Sequence, residues 1–265
     1  MRKKLIFFIA LLLIVAGCSG AGSPVGDEQL RVLTEDYPPF NFADKDGVVT
    51  GQSTEIVQAI MNEVGIESEI ELLNLAEALE LAEKGPGVVL YSLNRTPERE
   101  ELFKWVGPIG DYEQVFYARA DSNFSYTELD DAKKAGKIAV YTGDAGAHYL
   151  QAQGFKNLVE CESDVEALQK LADGEVDLWL GNRAGLNIVA ARAGVNLAEL
   201  IKVPAIIIHA NLFIALSKDV EDEVVQAWQE ALDRLREERD DDDKTLFEKV
   251  EAKYRDPAHI DERIN

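Results

Sequence analysis

GVVLYSLNRTPEREELFKWVGP, running from Gly87 to Pro108, sets a buried-strand pattern directly before a helix-start pattern. Val88, Val89 and Leu90 form a short apolar run behind Gly85-Pro86-Gly87, which suits a buried strand. Thr96 is a good N-cap, Pro97 fits a first helical turn, and Glu98, Glu100 and Glu101 suit the positive end of a helix dipole. The pattern therefore predicts a helix beginning at Thr96. It places Tyr91, Ser92, Leu93, Asn94 and Arg95 on the loop leaving the strand's carboxyl end, where ligands of open α/β sheets bind. Arg99, in the first helical turn, is suited to holding a carboxylate or phosphate, because its fork donates two parallel hydrogen bonds beside unpaired helix N–H groups. The same spacing also lets Arg95 and Arg99 pair with Glu98 to Glu101 on a solvated helix face.

Upstream, Leu30 to Thr34 alternates like a strand and leads into Glu35-Asp36-Tyr37-Pro38-Pro39-Phe40, where paired prolines force a non-helical loop. Gly47 and Gly51 punctuate a turn. Ser53 or Thr54 then caps a helix carrying Ile56, Val57, Ile60, Met61 and Val64 at helical spacing. Ile66 to Leu73 reads as a strand and Leu75 to Lys84 as a short helix. This alternation predicts an α/β fold with a parallel sheet.

Downstream, Gln114 to Arg119 reads as a strand, Leu129 to Lys134 as a helix and Lys137 to Tyr141 as a strand. Thr142-Gly143-Asp144-Ala145-Gly146 is a small-residue loop opening a helix with Tyr149 and Leu150. It is a second possible anion cradle, although it lacks the lysine of a nucleotide-binding loop. Ser163 and Glu166 form a capping box, Gly174 ends that helix, and Val176 to Leu180 reads as a strand reaching Gly181-Asn182. Val203 to Ile208 and Leu212 to Leu216 are further strand candidates. Val220 to Arg239 is helical, and the acidic run Asp240 to Asp243 is a solvated interruption between two C-terminal helices.

At the amino end, Arg2, Lys3 and Lys4 precede the apolar run Leu5 to Ala16, too short to span a bilayer comfortably, which is the pattern of a signal peptide over residues 1–17. Its end, Val15-Ala16-Gly17-Cys18, resembles the lipobox of secreted lipoproteins, in which the cysteine is lipidated. The Gly/Ser/Pro-containing segment 18–27 reads as a tether. With Cys18 lipidated, Cys161 has no intrachain partner and no structural disulfide is expected. The net charge of −22 becomes −25 once Arg2, Lys3 and Lys4 are removed. A surface so acidic repels nucleic acid and anionic headgroups, so the membrane is approached only through the anchor. His148, His209 and His259 have no metal-ligand spacing, no nucleophile motif is present, and neither metal nor cofactor is expected.

Taken together, Tyr37-Pro38-Pro39-Phe40, the Gly47 and Gly51 turn before Glu55, Ser92 to Arg99 with Phe103, Trp105 and Pro108, and Gly174 to Asp177 resemble the type II periplasmic solute-binding proteins of ABC importers. The likeness is to the polar amino acid binding family, bacterial extracellular solute-binding family 3, and covers essentially the whole mature chain. The resemblance implies an α/β, two-lobed fold with two crossover strands and a ligand cleft between the lobes. One lobe would comprise residues 28–110 and 211–265 and the other 111–210. It implies a monomeric, extracytoplasmic lipoprotein that captures a small polar solute with a carboxylate and hands it to ABC transporter permease subunits. Arg99 is the implied grip on that carboxylate, Tyr37 an aromatic wall, and Ser92 and Asn94 polar contacts.

Two positions depart from the family pattern. Asp144 and Ala145 stand where the second-lobe loop usually offers threonine, and Asn182 stands where an aspartate commonly meets the ligand's ammonium group. An amide cannot compensate a buried ammonium charge. Either Asp144 or Asp36 replaces that charge, or the ligand is an organic acid without an ammonium there. Two other roles share the scaffold: a secreted cyclohexadienyl dehydratase-like enzyme with Glu35, Asp36 or Asp144 as its acid or base, and a ligand-presenting subunit for a sensor.

Overall fold

The computed structural model describes residues 30–122 and 128–264; the expected signal peptide 1–17, the tether 18–27 and Cys18 lie outside them. The chain opens with β1 (Arg31–Glu35), the short β2 (Phe42–Ala43) and β3 (Val49–Thr50), then α1 (Gln52–Val64). Helix α1 starts two or three residues earlier than its hydroxyl residues suggest. Gly51 is its N-cap, and Ser53 and Thr54 are buried on its inner face with Ile56, Val57 and Ile60. Each of those three apolar side chains contributes roughly 1.5–3 kcal/mol by leaving water. β4 (Ile70–Leu73) and α2 (Leu75–Lys84) follow, the helix capped by Asn74, whose side chain accepts from the Glu77 N–H at 2.9 Å.

β5 (Val88–Asn94) runs further than its apolar core, and β6 (Phe103–Arg119) begins soon after it. The helix expected at Thr96 does not form. Residues 95–102 must reverse the chain between two strands, and two successive turns do so, with Arg99 N donating to Thr96 O and Leu102 N to Arg99 O, both at 3.0 Å. Tyr91 to Asn94 therefore belong to a strand, not a loop. Ser92 is a bulge in it: the ladder to the last long strand steps from Tyr91 to Leu93, and Ser92 has φ 63°.

A 3-10 turn at Leu129–Lys134, rather than an α-helix, precedes β7 (Ile138–Tyr141) and α3 (Ala145–Ala152). β8 (Leu158–Cys161), α4 (Asp164–Ala172), β9 (Leu178–Asn182) and α5 (Leu186–Ala193) follow. The two strand candidates beyond are one strand, β10 (Leu200–Ser217). The chain closes with α6 (Asp222–Glu237), α7 (Leu246–Arg255) and α8 (Pro257–Ile264).

The sheet order is β4-β1-β5-β10-β6-β9-β7-β8, and it is mixed rather than parallel. β1 runs parallel to β4 and β5, and β7 parallel to β8 and β9, while β6 and β10 pair antiparallel from Phe103↔Ser217 to Arg119↔Leu200. These two strands cross from one half to the other. β5 pairs with Leu212–Leu216 of β10, and β9 pairs with Gln114–Tyr117 of β6, so each half uses a different end of the crossing pair. Asp111↔Asn211 and Glu113↔His209 are partners where the pair passes between halves. The result is two α/β lobes with separate cores. Trp228 lies at the centre of the first lobe with Ile60, Val106 and Leu232; Trp179 lies in the second with Leu168, Leu171 and Tyr117.

Candidate functional site

The strand ends of the two lobes face one another, and a cluster of polar side chains is buried where they meet. Arg99 stands at its centre, 6% exposed. Its Nη2 donates to Gly143 O in the second lobe at 2.8 Å and its Nη1 to Asn94 O at 3.4 Å. Among the described residues it forms no ion pair. Burial pulls the guanidinium pKa down, opposed chiefly by the fields of Asp144 and Glu35. The support expected from a helix N-terminus is absent, so backbone carbonyls alone orient the fork.

Asp144 is the N-cap of α3, accepting from Gly146 N at 2.5 Å and from Gln114 Nε2 at 3.0 Å. Burial raises its pKa against those bonds. The small-residue loop after β7 is thus a turn around a buried carboxylate rather than an open cradle of N–H groups. Glu35, the last residue of β1, is 5% exposed, and its Oε2 has no hydrogen-bond partner. Burial first, then the neighbouring Asp144, lifts its pKa to about 8, with the Tyr141 hydroxyl and Arg99 opposing. Behind these, Asp164 accepts from Trp179 Nε1 at 3.0 Å and is pushed by burial to about 7.

Tyr37 is buried, stacks on Phe40 at 6.0 Å and meets Tyr112 edge-on at 5.7 Å. Its hydroxyl accepts from Gln114 Nε2 at 3.4 Å. Ser92 Oγ is buried and unpartnered, as is Gln114 Oε1. Asn94 is a brace, donating to Asn211 O at 3.0 Å and accepting from Tyr112 OH at 2.8 Å. Asn182 is also fully engaged: Nδ2 donates to Pro38 O in the first lobe at 3.0 Å, and Oδ1 accepts from Ala184 N at 3.1 Å. Asp36 turns away from the cluster into a pair with Arg192, so of the two acids weighed to offset Asn182, the structure brings only Asp144 inside. Arg95 forms an exposed two-pronged pair with Glu100.

Sequence reasoning missed Gln114, Tyr112 and Tyr141, and weighed Glu35 only as an acid or base of the enzyme alternative, not as a solute contact. All of β1 after Arg31 is buried, so no alternation separates Glu35 from Asp36. A signal for Gln114 exists in its place next to Asn182 in the β6–β9 ladder, but that pairing is visible only in three dimensions. Among the described residues no group of three or more His, Cys, Asp or Glu is placed to hold a metal ion, and no helix is long and apolar enough to cross a membrane. Cys161 is a buried free thiol.

Two α/β lobes on one mixed sheet, crossed by an antiparallel strand pair and closed over a polar cluster, define the type II periplasmic-binding-protein fold. Within that class, the chain belongs to the bacterial extracellular solute-binding proteins, family 3, whose model matches residues 30–245. It is 25% identical over 179 residues to the "Probable ABC transporter arginine-binding protein ArtJ" of Chlamydia trachomatis, covering 66% of this chain and 68% of that protein. It is 24% identical over 204 residues to the octopine-binding periplasmic protein of Rhizobium meliloti, covering 68% and 66%. The chain thus spans about two thirds of the length of these relatives. Its fold superposes on a histidine kinase sensor domain similar to periplasmic binding proteins, with TM-score 0.75, 23% identity and coverage of 86% and 97%. An ancestral arginine-binding protein bound to arginine gives TM-score 0.73 at 22% identity, covering 86% and 98%.

Proposed function

We propose that this protein is the lipid-anchored receptor of an ABC importer and binds an amino acid-type solute that carries one carboxylate and a net positive charge. The observation carrying the reading is Arg99, a buried guanidinium that among the described residues is bonded only to two backbone carbonyls. A buried charge without an ionic partner is costly, and a solute carboxylate supplies the missing one.

The rest of the cluster argues for the positive charge. Glu35 Oε2 and Gln114 Oε1 are buried without hydrogen-bond partners, Glu35 can give up its proton to meet a cation, and Asp144 adds a second carboxyl group beside Arg99. Two carboxyl groups against one guanidinium favour a donor-rich cation over a dicarboxylate. Tyr37 and Tyr112 would flank the solute's apolar stem, and Ser92 would add a hydroxyl. Asn94 and Asn182 would shape the site from behind. Relatives named for arginine and octopine support a solute of this class. The lobes are taken as 28–110 with 211–265, and 111–210, with the solute closing one on the other.

Cys18 would hold the mature, monomeric protein at the outer face of the cell membrane, within reach of the permease subunits. Two experiments test the proposal. A thermal-shift screen should single out cationic amino acids, since a solute at 100 times its dissociation constant adds about 2.7 kcal/mol. Cys18→Ser should release the protein from membranes; retention by a mature amino terminus other than residue 18 would overturn the anchor.

A further inference from the structure

We infer that one face of α5, formed by Gly185, Ile188 and Arg192, is a clasp that fastens the second lobe to the first and sets solute affinity without touching solute; the inference rests on the solute-binding reading above. Gly185 is the N-cap of α5, and the three positions fall along one side of the helix.

Each makes a different contact across the lobes. A Cβ at Gly185 would lie 2.1 Å from Pro38 O, an approach that only glycine permits. Ile188 is buried in an apolar cluster with Phe42, Val250, Tyr254 and Ile260. Arg192 Nη1 donates to both carboxylate oxygens of Asp36, at 3.0 and 2.9 Å, and its Nη2 donates to Ala43 O at 2.7 Å. Its guanidinium also lies 5.5 Å from the centre of the Phe42 ring. Every partner belongs to the segment after β1 or to α7 and α8.

That receiving surface is itself tied down. Tyr254 OH contacts Thr50 Oγ1 at 2.9 Å and Glu55 Oε1 at 2.7 Å and accepts from Gly51 N at 2.9 Å, while Lys253 pairs with Glu55 at 2.5 Å. α7 and α8 lie past residue 245, where the family match ends, and supply one wall of the clasp. These contacts exist only while the lobes are together, because hinge opening about β6 and β10 carries α5 away from Asp36 and Pro38. Interactions made in one state alone bias the closed population and hence the apparent affinity of whatever the cleft holds.

The experiment compares wild type with Arg192→Ala, Asp36→Asn, the double variant and Gly185→Ala. X-ray scattering of the solute-free proteins reads the lobes directly, and calorimetry with L-arginine and L-lysine as probes reads affinity. Each variant should show a larger radius of gyration than wild type. Arg192→Ala and Asp36→Asn should each weaken both probes by the same factor, about 3- to 30-fold for a partly exposed two-pronged pair. The double variant should lose no more than the worse single one. Unchanged radii in all variants, or a changed preference between the two probes, would overturn the clasp. Should wild type bind neither probe, the proposed solute class fails while the scattering comparison still decides the clasp.

Discussion

Arg99 donates from Nη2 to the backbone carbonyl of Gly143 at 2.8 Å, so one guanidinium joins the turn after β5 to the turn after β7 across the two lobes. The anchor proposed for the solute is thus also a tie between the lobes, which links capture to closure in a single side chain. Truncating one member of a buried charge pair costs roughly 2–5 kcal/mol, so Arg99→Ala should weaken solute binding from tens-fold to thousands-fold. Arg99→Lys should bind poorly too, because an ammonium cannot reproduce the two-pronged geometry. Arg95→Ala, which breaks an exposed pair with Glu100 and the guanidinium's contacts over the Trp105 and Phe213 rings, all outside the cluster, should stay near native in calorimetry. The reverse ranking would move the anchor to Arg95.

Glu35 gives the protein a pH signature. Its pKa rises from the ordinary 4.5 to about 8 on folding, through burial and Asp144, with Asp164 adding to the rise and Tyr141 and Arg99 opposing it. Between those values the folded chain holds a proton that the unfolded chain has lost, so stability is greatest on the acid side and falls as pH rises toward 8. Asp164, lifted to about 7, and Asp144, also raised, act in the same sense. The Tm of solute-free protein should therefore drop from pH 5 to pH 8, and Glu35→Gln should flatten that slope. A cation beside Glu35 favours its ionised form, so binding should release a proton and tighten toward pH 8. Calorimetry in buffers of different ionisation enthalpy measures that proton, and no buffer dependence would contradict the role given to Glu35.

Asn182→Asp separates two uses of that position. In the structure its amide donates to Pro38 O across the lobes, and a carboxylate would set acceptor against acceptor. Leaving a buried carbonyl unpaired costs about 1–3 kcal/mol, so affinity should fall about 5- to 150-fold. Tighter binding of an amino acid would mean that the side chain turns to meet an ammonium group, and that the link to Pro38 is expendable.

At Ser92 the backbone adopts φ 63°, a conformation that suits glycine. Ser92→Gly should relieve about 1 kcal/mol and raise Tm by about 2–4 °C relative to Ser92→Ala, which keeps the strain. Both remove the unpartnered hydroxyl and should weaken binding alike. Equal Tm values for the two variants would show that the bulge is unstrained.

Much of the architecture is legible in the sequence because local and global preferences agree. The helix Leu75–Lys84 sits between an asparagine cap and Gly85, and its apolar spacing matches the face it buries. The turn 95–102 reads wrongly for the opposite reason. Thr96-Pro97-Glu98 carries every local mark of a helix start, but β5 continues to Asn94 and β6 begins at Phe103, so strand pairing on β10 leaves no room for one. The single strands β6 and β10 are each read as fragments or in part, since Pro108 and the polar residues Asp111, Glu113, His209 and Asn211 interrupt the apolar pattern where the chain passes between lobes. The cluster's chemistry is least legible. Whether Glu35 or Asp36 faces inward depends on Arg192, a residue 156 positions from Asp36 in sequence.

The central claim is that Arg99 binds the carboxylate of a net-cationic solute, and calorimetric titration with three probes tests it. L-Arginine carries both groups, its decarboxylated counterpart agmatine carries only cations, and succinate carries only carboxylates. The account predicts measurable binding of L-arginine, at least tens-fold weaker binding of agmatine, and none of succinate. Succinate binding more tightly than L-arginine would contradict it, and would mean that Glu35 and Asp144 take up protons to admit an organic acid.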